Sequence, residues 1–134
     1  MITCEDLIIC QQITVDPFTN RISAHVVMED IGINSLPLTL PFQSFCMLKR
    51  EEGKHELDPK LSVQIKLDDE ILITKSLNAN FPEGILALRS IANIGEITIK
   101  NIGTINISVV DENKKSLIEK SFSLIMMSGN ADSI

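Results

Sequence analysis

"GTINISVVDENKKSLIEKSFSLIM", residues 103–126, sets two runs of alternating apolar and polar side chains around a short polar turn. A period of two sends successive side chains to opposite faces of a strand. Two such runs joined by Asp111, Glu112 and Asn113 predict a β-hairpin. The same three residues are rich in oxygen, so they also pose a chemical question: turn or cation site.

Working outward, the pattern repeats. "LSVQIKLD", 61–68, sends Leu61, Val63, Ile65 and Leu67 one way and Ser62, Gln64 and Lys66 the other. That predicts an antiparallel strand with one wet face. Asp68-Asp69 turns the chain and "EILITKSL", 70–77, returns. Residues 2–15, "ITCEDLIICQQITV", and 22–29, "ISAHVVME", flank "DPFTNR" and predict a second hairpin; Asp-Pro starts its turn and Asn20 tolerates a left-handed backbone. Residues 30–37 read as a loop, and 43–50 as a strand. Pro37 and Pro41 interrupt the alternation of Leu36, Leu38, Leu40 and Phe42, which puts that segment at an edge or a bend, since proline donates nothing to a ladder. Residues 51–60 read as an exposed charged connection and 78–84 as loop. Leu88, Ile91 and Ala92 have helical spacing ahead of Gly95, so a short helical turn near 85–93 competes with strand. "EITIK", 96–100, is strand, and Asn101 to Gly103 turn the chain. These segments predict an all-β fold, an antiparallel β-sandwich of about 7–8 strands with at most one short helical turn near 85–93. One domain spans 1–127, and 128–134, "SGNADSI", read as a flexible C-terminal tail with little to bury.

Composition narrows the function. The 134 residues carry a net charge of −6, no Trp and no Tyr. Nucleic-acid binders present a basic face, and Lys114, Lys115 and Lys120 are interleaved with Glu112 and Glu119. No nucleic acid and no membrane surface is expected as a partner, and the aromatic platforms that stack on bases and sugars are missing. "MITCEDLIICQQ" has no basic leader, and no apolar run reaches the roughly 20 residues of a spanning helix. A cytoplasmic protein is expected. Cys4 and Cys10 lie roughly 20 Å apart along one extended strand, too far for a disulfide that needs Cα atoms within about 7 Å. Cys46 is the third cysteine, and the odd count reads as buried free thiols.

Candidate chemistry is sparse. Calcium takes roughly six to eight oxygen ligands, and one turn supplies about three. If consecutive strands alternate direction, turns near 16–20, 51–60 and 111–115 share one end and 68–70 lies at the other, which divides the acidic clusters. Asp111, Glu112 and Asn113 therefore read as a plain hairpin turn. His25 and His55 belong to no metal-ligand spacing. There is no GxGxxG, Walker loop or GxSxG. No catalytic, cofactor-binding or metal residue is expected, and no cofactor.

Alternation fails at Leu7 to Cys10 and in "SFSLIMM", where Phe122, Leu124 and Met126 face one way and Ile125 and Met127 the other. Strands apolar on both sides are covered by their own chain, here by the proline-bearing segment, or by another molecule, which makes them a homodimer surface.

The opening "MITCEDLIICQQITVD", the "NRIS" that begins the second strand, "LPLTLPF" and the closing "IGTINISVVDENKKSLIEKSFSLI" together resemble a family of short bacterial proteins of unknown function. The resemblance rests on the order of hairpin, proline-marked third strand and Gly-led closing hairpin. It implies a compact β-sandwich, bacterial and cytoplasmic, and it carries no catalytic motif. The reading is a non-enzymatic binding or protein-interaction module, with self-association as one form. The alternatives are a small-ligand or Ca-binding sandwich using its end loops, and an enzyme whose site is assembled from distant residues.

Overall fold

The computed structural model describes residues 2–51 and 59–127. His55 and the tail 128–134 lie outside the described residues, as does most of the charged connection. Within them the chain is all strand: β1 (Ile2–Val15), β2 (Ile22–Val27), β3 (Ile31–Ile33), β4 (Leu38–Arg50), β5 (Ser62–Leu67), β6 (Glu70–Ser76), β7 (Ala87–Ile99), β8 (Gly103–Val110) and β9 (Ser116–Met126). One sheet has the order β2-β1-β4-β7 and the other β3-β9-β8-β5-β6. The fold is a β-sandwich.

The core follows from the period-two stretches. Val63, Ile65 and Leu67 of β5 lie opposite Val109, Ile107 and Ile105 of β8, and all six are buried. Leu7, Ile9, Phe42, Cys46, Leu48, Ile94, Ile97 and Ile99 meet them from the other sheet. Burying each aliphatic side chain of this size contributes roughly 1.5–3 kcal/mol. Gln64, expected in water, is buried between Thr74 and Ser108, because β5 has a strand on each side.

Three segments differ from expectation. The loop at 30–37 contains β3, which pairs in parallel with Ile125 and its neighbours at the end of β9. That strand is the one beyond the expected count. The helical spacing at 85–93 gives no helix: Ala87–Ile99 pairs with β4 along its whole length. Ser90, Ala92 and Ile94 are buried while Ile91 and Asn93 are exposed, which is strand periodicity. Gly95 (φ 94°) is a bulge rather than a helix cap; it lets Ile94 and Ile97 both face the core. Finally, Asn101 to Gly103 carry the chain from one sheet to the other, since β7 and β8 do not pair.

Pro41 sits where the edge argument allows. β4 pairs with β1 only from Gln43 onward, so the stretch 38–42 has β7 on one side and no strand ladder on the other. The reason is that β1 changes partners. Residues 2–10 run beside β4, and residues 10–15 run beside β2. The far half of β1, the turn and β2 thus form an arm that leaves the body of the sheet.

Candidate binding surface

The arm begins at Cys10 and is held at three points. Its root is fixed by the Ile13 N–H, which donates to Gln43 Oε1 (2.6 Å). Along its length, Thr14 Oγ1 and His25 Nε2 share a cross-strand hydrogen bond (3.2 Å). At the tip, Arg89 Nη1 donates to Asn20 Oδ1 (3.4 Å). Gln43 and Arg89 point away from the core, so the arm crosses the outer face of the first sheet. This is how Leu7 to Cys10 become apolar on both sides: Leu7 and Ile9 enter the core, while Cys10 and Phe45 are buried on the outer side beneath the arm. The expected cover is intramolecular, but it comes from the chain's own hairpin rather than from the proline-bearing segment.

The arm's turn is fixed by its own hydrogen bonds. The Phe18 and Thr19 N–H groups donate to Asp16 Oδ1 (2.8 and 3.3 Å), and Asn20 N–H donates to Asp16 O (2.8 Å). Those two amides hold the Asp16 carboxyl below its usual pKa. Asn20 takes the left-handed backbone expected of it (φ 60°). What this turn presents is Phe18, which is 96% exposed.

At the arm's base the apolar exposure continues. Val26 has a left-handed backbone (φ 57°), a conformation that strains a β-branched residue by about 1–3 kcal/mol. The kink leaves Val26 and Val27 both exposed, 65% and 54%, instead of alternating. They border a groove of about 350 Å³ lined also by Ile31, Gly32, Leu40 and Pro41, with Glu29 and Asp30 on its rim. Asp30 is anchored there, accepting from the Ser123 N–H (2.8 Å).

The residues singled out in the sequence fall elsewhere. Asp111 Oδ1 accepts from the Asn113 and Lys115 N–H groups (both 2.9 Å), so this carboxylate holds the turn. Asp111, Glu112 and Asn113 share a groove of about 260 Å³ with Pro59, Lys60 and Lys115. Of the three turns expected at one end, 59–61 and 111–115 meet there, while 16–20 lies on the arm against β7. Asp68 also serves the backbone, accepting from the Thr104 N–H (3.1 Å). Among the described residues no three His, Cys, Asp or Glu side chains gather as a metal site. His25 is exposed on the arm.

The fold brings two thiols together that spacing alone left apart. Cys4 lies opposite Leu48 and diagonal to Cys46, and both side chains enter the core. The interaction between the two thiols, and then burial, pushes Cys46 up, while the same interaction holds Cys4 down. Burial pushes Cys10 up; its thiol donates to the Gln12 carbonyl (3.3 Å). All three cysteines are free.

Ile125, Met126 and Met127 at the end of β9 stay exposed. β3 covers the edge of that strand and not its face. Among the described residues no helix is long and apolar enough to cross a membrane.

The surface therefore defines a two-sheet β-sandwich with a braced arm laid across the outer face of one sheet. No family model matches the chain, nor does any curated protein or any solved structure. Sequence reasoning missed the arm as a surface. The signal available was the apolar Phe18 inside an otherwise polar turn.

Proposed function

We propose that this protein is a non-enzymatic interaction module that docks onto a protein partner through the β1–β2 arm. The observation that carries this reading is Phe18, an almost fully exposed aromatic on a turn whose backbone is fixed by Asp16. Aromatic anchors dominate interface energetics, and a preorganised anchor loses little entropy on docking. Val15, Val26 and Val27 extend the apolar surface along the same arm, and contiguous exposed apolar patches mark interaction sites. The free thiols support a reducing, cytoplasmic compartment.

The test is a benzophenone side chain placed at position 18 of the full chain and irradiated in cells. Discrete adducts are expected there and not from the same probe at Lys100, which follows the end of β7 away from the Arg89 that touches the arm's tip. Absence of adducts at 18, or equal labelling at both positions, would defeat the reading.

A small-ligand role for the groove between 59–61 and 111–117 has less support. Asp111 is already committed to backbone amides, and Lys60 and Lys115 add positive charge. Calorimetric titration with Ca²⁺ is expected to give no binding at micromolar concentration.

A further inference from the structure

We infer that the arm's partner is a second copy of this chain, joined by antiparallel pairing of the two β2 edges about a two-fold axis. The inference rests on the interaction reading above and assigns its partner.

The first argument is the contrast among the sheet edges. Open edges are normally blunted by charged residues, bulges or proline. β7 carries Arg89, Glu96 and the Gly95 bulge. β6 carries Glu70 and Lys75. The part of β9 left uncovered by β3 carries Glu119 and Lys120. β2, the edge of the first sheet, reads "ISAHVV" and has no acidic residue, lysine or arginine. The other uncharged edge, β3, is only three residues long and so is guarded by its shortness, and the free side of Ile13 in β1 is taken by Gln43.

The second argument is that the arm carries two complementary halves at its opposite ends. Phe18 projects at the tip, and the groove of about 350 Å³ opens at the base beside Val26 and Val27. Five residues of extended chain, Ile22 to Val26, lie between the turn and the groove, roughly 17 Å, so a molecule does not fill its own groove with its own Phe18. Antiparallel alignment of two β2 strands brings each tip to the other's base. A two-fold axis at His25 sets Arg21 of one copy opposite Glu29 of the other and Phe18 level with Gly32, at that groove. Charge follows the same geometry. Arg21 lies at the tip with Arg89 beside it, and Glu29 and Asp30 line the base. In that register Arg21 of each copy meets Glu29 of the other, so the cation–anion meeting occurs twice in the pair, once at each end.

The third argument is the strain at Val26. Its left-handed backbone turns two successive valines outward, and strain held at an exposed site points to use of that site. The β1–β2 ladder skips Val26 and resumes at Val27, so regular pairing between copies covers Ile22 to His25 and the valines meet the incoming tip. An isologous contact of this kind closes on itself, whereas tip-to-groove contact without the two-fold would propagate as a filament.

The experiment is sedimentation equilibrium on the full chain over a wide concentration range, with thermal melts of each variant as a folding check. The wild-type chain is expected to reach a dimer plateau. Phe18→Ala and Val26→Lys, both at exposed positions, are each expected to weaken dimerisation by at least about tenfold with native-like melting. Arg21→Glu is expected to weaken it, and adding Glu29→Arg to restore it. The melts separate loss of pairing from loss of fold, and the charge-swap rescue reports contact rather than stability. A strict monomer at all concentrations, growth beyond the dimer without a plateau, or variants that dimerise like wild type would each overturn the inference. A monomer that still gives adducts to another protein from position 18 would overturn this assignment and leave the interaction reading standing.

Discussion

The two hairpins β1–β2 and β8–β9 use the same turn chemistry for opposite ends. In each, an aspartate opens the turn and accepts two backbone amides through one oxygen: Phe18 and Thr19 at Asp16, Asn113 and Lys115 at Asp111. In each, a residue in the left-handed region closes it, Asn20 or Lys114. Yet β8 buries Ile105, Ile107 and Val109 at the centre of its sheet, while the arm leaves Val15, Phe18, Val26 and Val27 in water. The turn fixes where the chain reverses. Whether the strands beside it build a core or a surface depends on what lies on either side of them. β8 has β5 and β9; the far half of β1 has only β2.

Substitutions should separate the two roles, most sharply in the core. Ile107→Ala empties space between two sheets and is expected to cost about 2–5 kcal/mol in denaturant unfolding. Phe18→Ala, measured the same way on the monomer, should change stability by less than about 0.5 kcal/mol; a larger loss would mean that the arm belongs to the core. Gly103→Ala comes next. Gly103 has φ 154°, and a Cβ there meets the Asp68 carboxylate that accepts from Thr104. A loss of about 1–3 kcal/mol is expected, recovered in part by Asp68→Ala.

Asp111→Ala removes the acceptor of two amides and should lower stability by about 1 kcal/mol. Asp16→Ala should leave the unfolding midpoint in place and speed amide exchange only at the arm's turn. The smallest effect is the pH dependence of that turn. Amide donation from Phe18 and Thr19 depresses the Asp16 pKa below that of an ordinary aspartate. A depressed carboxylate pKa means that its contribution is present above the unfolded value and fades as pH falls through the folded one. The Phe18 and Thr19 amides should lose their bonded chemical shifts below about pH 3.8. Loss of those shifts near neutrality would remove Asp16 from the turn.

Legibility followed the same divide. The β5–β6 and β8–β9 hairpins could be read because each has a clean period of two and a turn rich in Asp and Asn. β3 could not, since Ile31-Gly32-Ile33 is too short for periodicity and is defined by a partner about ninety residues away. β7 offered helical spacing at Leu88, Ile91 and Ala92, and only its ladder to β4 makes Ile91 an outward residue. The Cys4–Cys46 contact depends on register between β1 and β4, which spacing within one strand does not encode. At the candidate surface, the turn was legible and its exposure was not. Val15, Val26 and Val27 are spelled like core residues, and only the change of partner along β1 leaves them uncovered.

The parallel pair β3–β9 acts as a clasp. Its hydrogen bonds, together with those from Ser123 N–H to Asp30 and from Met127 N–H to the Ile33 carbonyl (2.7 Å), tie together segments 93 residues apart in the chain. Closing so long a span gives little local reward for the chain entropy lost, so the clasp is expected to form late in folding, and amide exchange at Ile33 and Met127 is expected to outpace that in β5 and β8. Ile31 and Gly32 also belong to the groove at the arm's base. Whatever occupies that groove favours the fastened clasp, and a fastened clasp favours occupancy by the same factor. Loosening Met127 or Ser123, far along the chain from the arm, would therefore register as weaker binding there.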